Sequence, residues 1–218
     1  MNVLIMGPAG AGKGTMSDLI LKEYDIPHIS TGDMLRANVA NHTDLGNKAK
    51  AYMDAGKLVP DEVINAMVED RLQQPDCQKG YLLDGYPRTL VQAKEFERIA
   101  AKIGKPVECV LGLEVDFEVL KDRITGRRIC PKCGATYHIH NFPPKVEGVC
   151  DNCGEKLVQR SDDTVEKLTK RMEEYEKSTK PVIDFYDQKG LVTHLDASGK
   201  PEAVFGAIKE ALGKIALM

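Results

Sequence analysis

A glycine-rich stretch near the start of the chain, GPAGAGKGT (residues 7–15), most constrains what this sequence can fold into. The apolar run Asn2–Met6 precedes it, which is typical of a buried parallel strand. After the glycines, apolar residues recur at helical spacing from Lys13 to Tyr24. The sequence therefore predicts a strand, a tight loop of small residues and a helix in direct succession.

The loop matches the spacing of a phosphate-binding P-loop, G-x-x-x-x-G-K-[ST], from Gly7 to Lys13. Its small residues let backbone N–H groups approach a phosphate, and the following helix adds the positive end of its dipole. Lys13 is placed to reach the terminal phosphates of a nucleotide. The hydroxyl residue that should follow comes one position late, because Gly14 stands there and Thr15 comes next.

Strands and helices alternate along most of the chain, which favours an α/β fold with a parallel sheet. Further strands are predicted at residues 80–84, 106–115 and 191–195. Further helices are predicted around residues 63–72, 93–103 and 201–212. Two stretches break the alternation and indicate insertions into this core. Residues 31–73 hold helical segments with no strand between them, and residues 128–159 are rich in Cys, Pro and Gly.

The composition argues against several classes of protein. The 218 residues carry a formal net charge of -3 at pH 7, whereas a general nucleic-acid binder is normally basic. No apolar run approaches the roughly 20 residues that a membrane span requires. The start, MNVLIMG, lacks the basic segment of a signal peptide. We therefore expect a cytoplasmic protein without a membrane or nucleic-acid partner.

Four of the six cysteines have the spacing of a metal site. Cys130, Cys133, Cys150 and Cys153 form the pattern C-x2-C-x16-C-x2-C, which predicts a closed tetrahedral zinc site with a structural role. Iron and cobalt remain possible metals, since S4 sites do not suit zinc alone. Because so small an insertion buries little core, metal binding would be its main source of order.

Three other interpretations of the cysteine-rich insertion stay open. The cysteines could pair as two disulfides, or the insertion could be a free-standing zinc ribbon for nucleic acid. Alternatively, His138 or His140 could replace one cysteine ligand, although on the segment ATYHIH such residues more often pack or face solvent. Cys77 and Cys109 have no partner at ligand spacing and are predicted to be ordinary thiols.

Charged residues recur where a phosphate site would lie. Asp84 ends an apolar strand, where a carboxylate is costly unless it faces a site, and an acid there helps to hold Mg²⁺ in P-loop proteins. Arg36 and Arg88 each follow a turn signal, and arginine suits phosphate through its planar fork of donors. Arg123 and Arg127 are four residues apart and project from one helix face. Many cations favour phosphoryl transfer over a nucleotide switch.

Five segments together resemble the signature set of the adenylate kinases, in the order that this family has them. They are GPAGAGKGT, STGDMLR (30–36), GKLVPDE (56–62), LLDGYPRT (82–89) and DRITGRR (122–128). The resemblance covers essentially the whole chain, including the long, cysteine-bearing lid of one branch. It accounts for Gly14, because the family characteristically has Gly-Lys-Gly-Thr. Ala9 and Tyr86 depart from the usual proline and phenylalanine, and the segment after Asp163 departs from the usual Glu-Thr-Val.

The resemblance implies a P-loop kinase that catalyses ATP + AMP = 2 ADP with Mg²⁺ and that is monomeric like most of the family. A helical insertion, residues 31–59, would close over AMP, and a small Cys-rich β lid, residues 128–159, would close over ATP. The P-loop core, a parallel sheet flanked by helices, would consist of residues 1–30, 60–127 and 160–218. Kinases of the same build that use GTP, or that phosphorylate UMP or CMP, are the nearest alternatives. A zinc-ribbon regulator with a nucleotide switch is a more distant one.

The resemblance also assigns roles residue by residue. The catalytic set around the transferring phosphoryl group is Lys13, Arg88, Arg123, Arg127, Arg160 and Arg171. The ATP-binding set is Gly10, Ala11, Gly12, Lys13, Gly14, Thr15, Arg123, Arg127 and Tyr137. The AMP-binding set is Thr31, Arg36, Lys57, Val59, Gly85, Arg88, Gln92, Arg160 and Arg171. Thr15 and Asp84 would order the waters around Mg²⁺, and the four cysteines named above would hold the metal of the lid.

Overall fold

The computed structural model describes residues 1–54, 59–160 and 163–215. The strands are β1 (Asn2–Met6), β2 (His28–Ser30), β3 (Tyr81–Asp84), β4 (Cys109–Glu114), β5 (Arg127–Ile129), β6 (Thr136–His138) and β7 (Val192–Asp196). The first helices are α1 (Lys13–Glu23), α2 (Thr31–Ala40), α3 (Asp44–Asp54), α4 (Asp61–Leu72) and α5 (Leu90–Lys102). They are followed by α6 (Phe117–Gly126), α7 (Val165–Glu174), α8 (Lys180–Asp187) and α9 (Pro201–Ile215). A 3-10 turn (Pro75–Lys79) precedes β3, and a π-helical turn (Tyr175–Thr179) joins α7 to α8.

Five strands form one parallel sheet in the order β2-β3-β1-β4-β7. This confirms the predicted α/β core. The sheet also contains β2, which the sequence analysis did not predict and which is only three residues long. The chain first places β2 and β3 on one side of β1 and then crosses to place β4 and β7 on the other side, so the carboxyl end of β1 is a topological switch point. Ligands of open α/β sheets bind in the crevice at such a point.

Helices cover both faces of the sheet, and β1 shows how the sequence achieves this. Val3 and Ile5 belong to one buried cluster, whereas Leu4 and Met6 belong to the other. Alternate residues of a strand point to opposite faces, so a strand buried on both sides is apolar throughout. The run Val3–Met6 is therefore apolar because its sheet lies between two layers of helices.

The two insertions have the predicted character. Helices α2 and α3 follow one another without an intervening strand and pack so closely that a Cβ on Gly46 would lie 1.9 Å from the Asn38 carbonyl oxygen. The Cys-rich insertion holds the antiparallel pair β5–β6 and a small core of its own. No helix in the described residues is long and apolar enough to cross a membrane.

Candidate functional site

The glycine loop joins the carboxyl end of β1 to the start of α1. Gly12, the residue before α1, has φ +91°, a left-handed conformation that glycine adopts without strain. Gly10 has φ +83°, and a Cβ there would lie 2.9 Å from the Cγ1 atom of Ile124. No side chain caps α1 at Gly12. The first N–H groups of the helix are thus available to an anion in the crevice above the sheet.

Lys13 lies at the centre of the charged groups of this crevice. Its half-buried ammonium donates to the carbonyl oxygens of Gly7, at 2.8 Å, and Pro8, at 3.0 Å. Burial lowers the pKa of Lys13, the nearby carboxylate of Asp84 raises it, and the positive charges of Arg88 and Arg127 lower it. The structure therefore brings Asp84, Arg88 and Arg127, all predicted from sequence, into the neighbourhood of the loop lysine.

Asp84 and Thr15 supply oxygen atoms beside the glycine loop. Asp84 ends β3 and is paired in register with Ile5 of β1, so its carboxylate lies at the carboxyl edge of the sheet. Thr15 is exposed in the first turn of α1. The Nε2 atom of His28 lies 3.7 Å from the Asp84 Oδ2 atom, and it is buried without a hydrogen-bond partner among the described residues. Carboxylate and hydroxyl oxygens are the hard donors that suit Mg²⁺ and its waters.

A second polar cluster connects the start of α2 to the segment after β3. The buried Thr31 hydroxyl donates to the Gly85 carbonyl oxygen at 3.0 Å, and Arg88 Nε donates to the same oxygen at 2.7 Å. Gln92 accepts from the Arg88 backbone N–H at 2.8 Å, and its amide donates to Asp61 at 2.6 Å. Four residues of the predicted acceptor site, Thr31, Gly85, Arg88 and Gln92, are thus in mutual contact.

Three other members of the predicted AMP set lie on or near the helical insertion. Val59 is half-buried just before α4. Arg36 is on α2, and its side chain is outside the described part of the structure. Lys57 lies outside the described residues altogether.

The remaining arginines of the predicted catalytic set have different surroundings. Arg123 donates to the carbonyl oxygens of Ala197, at 2.7 Å, and Ser198, at 3.3 Å, so it contacts the loop between β7 and α9. Burial lowers the pKa of Arg123, and the carboxylates of Asp122 and Asp196 raise it. Arg160 is exposed after the Cys-rich insertion, and Arg171 is half-buried on α7.

The prediction that Arg123 and Arg127 share one helix face is wrong, because α6 ends at Gly126 and Arg127 begins β5. Arg127 instead forms a bidentate ion pair with Asp163. Its Nε atom donates to Asp163 Oδ2 at 2.9 Å, and its Nη2 atom donates to Asp163 Oδ1. Sequence analysis gave Asp163 no role, because nothing in the local pattern marks a carboxylate 36 positions away as the partner of Arg127.

The four cysteine sulfurs form one compact cluster in the Cys-rich insertion. All four Sγ atoms lie within 4.8 Å of one another, with 3.4 Å between Cys130 and Cys153 and 3.5 Å between Cys133 and Cys150. These separations exceed the disulfide bond length of about 2.05 Å. They are close to the roughly 3.8 Å expected between sulfurs of a tetrahedral site with metal–sulfur bonds of about 2.3 Å. The donor set therefore fits a structural metal ion.

Comparisons with known proteins agree with this geometry over nearly the full chain. A sequence profile described as adenylate kinase matches residues 5–191. An adenylate kinase of Thermoanaerobacter sp. (strain X514) is 57% identical over 213 residues, which cover 98% of either chain. Adenylate kinases of Methanosarcina acetivorans and Bacillus subtilis (strain 168) are 50% and 48% identical and cover 99% and 98% of this chain, and 100% and 98% of their own length.

The chain belongs to the adenylate kinase family. It is therefore a nucleoside monophosphate kinase, a phosphotransferase, and the resemblance seen in the five sequence segments is confirmed. In this adenylate kinase the cysteine cluster at residues 130–153 fits a lid of the metal-binding type.

Tyr137 and His138 show how the lid of this adenylate kinase is built around the cluster. The buried Tyr137 hydroxyl accepts from the Asp151 backbone N–H at 2.8 Å and lies 3.5 Å from Cys150 Sγ. The Nδ1 atom of His138 accepts from two backbone N–H groups, and its Nε2 atom lies 3.0 Å from the Asp122 carbonyl oxygen. Both nitrogens of His138 are thus occupied, and the cluster in the described residues that could hold a metal ion consists of cysteines alone.

Proposed function

We propose that this adenylate kinase transfers the γ-phosphoryl group of ATP in line to AMP, reversibly and with Mg²⁺, to give two ADP. The observation that carries the proposal is the position of Lys13, which lies at the mouth of the P-loop among Asp84, Arg88 and Arg127. A switch protein needs few charges around the γ-phosphate, whereas transfer between two bound nucleotides requires neutralisation of many phosphate oxygens.

ATP would bind at the P-loop. The backbone N–H groups of residues 10–15 and the dipole of α1 would hold its phosphates, and Arg123, Arg127 and Tyr137 complete the proposed donor site. AMP would bind opposite, on the connected group of Thr31, Gly85, Arg88 and Gln92. Arg36, Lys57, Val59, Arg160 and Arg171 complete the proposed acceptor site. Two sites that faced one another across Lys13 would give the geometry that in-line transfer needs.

The chain's contribution to the reaction is position and charge. The acceptor is a phosphate with a second pKa of about 6, so it is mostly ionised at pH 7 and needs no general base. Lys13 and the arginines would neutralise charge that spreads over the equatorial oxygens during transfer. Asp84 and Thr15 would hold Mg²⁺ through water, and the bound ion would supply charge neutralisation at the phosphates.

The two insertions would exclude water during transfer. Residues 128–159 would close over ATP and residues 31–59 over AMP, on a core of residues 1–30, 60–127 and 160–218. Exclusion of water matters because a bound ATP that stays exposed would be hydrolysed. The four cysteines would hold a structural Zn²⁺, or iron or cobalt in its place. We also propose that the protein acts as a cytoplasmic monomer without a nucleic-acid partner.

An assay that separates all nucleoside diphosphate products tests the reaction directly. Each nucleoside monophosphate is supplied with Mg²⁺ and with ATP or GTP as donor. ADP made from ATP and AMP, but not with UMP or CMP, would support the proposal. Transfer from GTP, or to UMP or CMP, would favour another kinase of the same build. A protein that binds nucleotide and transfers nothing would be a switch.

A further inference from the structure

The Arg127–Asp163 ion pair lies where the lid meets the core. Arg127 is the residue at which α6 passes into β5, and Asp163 lies two residues before α7. The amide of Gln159 donates to the carbonyl oxygens of Thr125, at 3.3 Å, and Asp163, at 3.0 Å. The segment that leads from the core into the lid and the segment that leads back are therefore joined by hydrogen bonds and an ion pair at this point.

The carboxylate of Asp163 is completely buried, whereas the side chain of Arg127 is 21% exposed. A buried carboxylate is costly unless it is paired and hydrogen-bonded, and here both oxygens accept from the guanidinium. Because Asp163 is buried and Arg127 is partly exposed, we infer that Asp163 holds Arg127 in place while the remaining N–H donors of Arg127 can reach a ligand.

The atoms involved in the pair decide what Arg127 can still bind. A guanidinium has five N–H donors and two edges that can each hold an oxyanion with two parallel hydrogen bonds. Asp163 occupies the edge formed by Nε and Nη2. Within the described part of the chain, the Nη1 atom of Arg127 makes no hydrogen bond. The edge formed by Nη1 and the second N–H of Nη2 can therefore take two phosphate oxygens while the ion pair stays intact.

The positive charge of Arg127 also acts on the P-loop lysine. It lowers the pKa of Lys13, so the guanidinium lies near the P-loop lysine. Arginine is a long side chain with many rotamers, and an ion pair at its guanidinium restricts it to one of them. A fixed donor next to Lys13 is placed where charge develops during phosphoryl transfer.

We propose that Asp163 is a positioning residue that fixes the guanidinium of Arg127 beside Lys13, with its free edge turned to the transferring phosphoryl group. The inference deepens the proposed function and rests on it. Asp163 itself touches no reacting atom. Its effect on the reaction is exerted entirely through Arg127, and this dependence separates positioning from a general contribution to folding.

A double-mutant cycle tests this dependence. Asp163→Asn keeps the size of the side chain and removes the charge, Arg127→Met removes the guanidinium, and the third variant carries both changes. A misplaced group costs on the order of 10²-fold in rate, so Asp163→Asn should lower kcat for ADP formation by about that factor. The KM values should change little, because the interaction lost acts mainly in the transition state. In the Arg127→Met background, the same change at Asp163 should lower kcat no further.

Melting curves and a control variant keep this test independent of folding. All kinetics are measured well below the melting midpoint of each variant, and the double variant avoids leaving one charge of a buried pair alone. Glu166→Gln is the control, because it removes a nearby carboxylate, in the first turn of α7, whose pairing with Lys170, at 3.2 Å, is exposed. It should leave kcat at the wild-type value.

Two results would overturn the inference. In the first, Asp163→Asn keeps wild-type kcat. In the second, it lowers kcat by the same factor with and without Arg127, which would make Asp163 a structural residue only. A wild-type protein that forms no ADP from ATP and AMP would instead refute the proposed function, so the two failures are distinguishable.

Discussion

Replacement of Tyr137 by phenylalanine should lower the affinity of the lid for a metal ion. The hydroxyl accepts one hydrogen bond, from the Asp151 N–H at 2.8 Å, so its own proton is free to be donated to Cys150 Sγ, 3.5 Å away. Cysteine binds a metal as the thiolate, and a neighbouring donor stabilises that negative charge. Tyr137→Phe removes this donor and leaves the ring in its packing against Phe142, at a centroid distance of 6.1 Å.

Two independent considerations give the same magnitude for this loss. A hydrogen bond to a charged group contributes about 1.5–3 kcal/mol. Loss of an outer partner of a metal ligand typically costs 10–100-fold in affinity, and at about 1.36 kcal/mol per tenfold this is about 1.4–2.7 kcal/mol. The loss of the hydrogen bond from the Asp151 N–H adds little to this cost, because Asp151 is exposed and water can replace the lost acceptor. We therefore expect metal affinity to fall by between about 10-fold and 100-fold.

The assay is transfer of Zn²⁺ from the protein to a chromophoric chelator at equilibrium. Tyr52→Phe serves as the control, because that hydroxyl is on an exposed residue of α3, outside the lid. The melting midpoint should drop more in Tyr137→Phe than in the control when the metal is loaded, since metal binding is coupled to folding. Equal zinc affinity in Tyr137→Phe and wild type would refute the reasoning. Tyr137 would then keep only its predicted role in ATP binding.

Three further outcomes are expected. Lys13→Met should lower kcat by about 10²–10³-fold with an unchanged melting midpoint, because it removes a charge that faces the transferring group; near-normal kcat would contradict the P-loop assignment. His194 hydrogen-bonds to Glu114 at 2.7 Å and Asp187 at 3.3 Å, and both carboxylates raise its pKa. This group therefore stabilises the fold below about pH 6.5, its ordinary pKa, and the stabilisation is lost as pH rises through the raised pKa. The melting midpoints of wild type and His194→Gln between pH 6 and 8 measure this stabilisation. If the two midpoints changed with pH in the same way, His194 would make no such contribution. Chelation of the lid metal should lower the melting midpoint and leave kcat intact at low temperature, as measured on the same metal-free sample.

Features encoded by neighbouring residues were predictable from the sequence. The strand–loop–helix unit depends on glycines within residues 7–15, and the cysteine cluster depends on two Cys-x-x-Cys-Gly turns. In the structure the two turns match, since Gly134 and Gly154 both have positive φ and each donates its N–H to the carbonyl oxygen of the first cysteine in its turn. Local geometry of this kind requires particular residues at fixed spacing, which can be recognised in the sequence.

Features that depend on distant contacts were not predictable. Strand β2 has a single fully buried apolar residue, Ile29, so no alternation marks it, and only pairing with β3 makes it a strand. The Thr31–Gly85 bond and the Arg127–Asp163 pair span 54 and 36 positions. The family resemblance assigned Arg127 a phosphate, but it gave no information on the carboxylate that holds the other edge of its guanidinium.

The cysteine cluster and Arg127 are connected through a short piece of backbone. Arg127 begins β5, and Cys130 follows it by only three positions. On the partner strand β6, His138 pairs with Arg127 and packs against Gly126, where a Cβ would lie 2.1 Å from the His138 Nε2 atom. A metal bound by the four cysteines would therefore also order the strand on which Arg127 lies. Since four thiolates would close the coordination sphere, the metal would act only by ordering this strand, and kcat should stay intact at low temperature, where the strand remains folded without the metal.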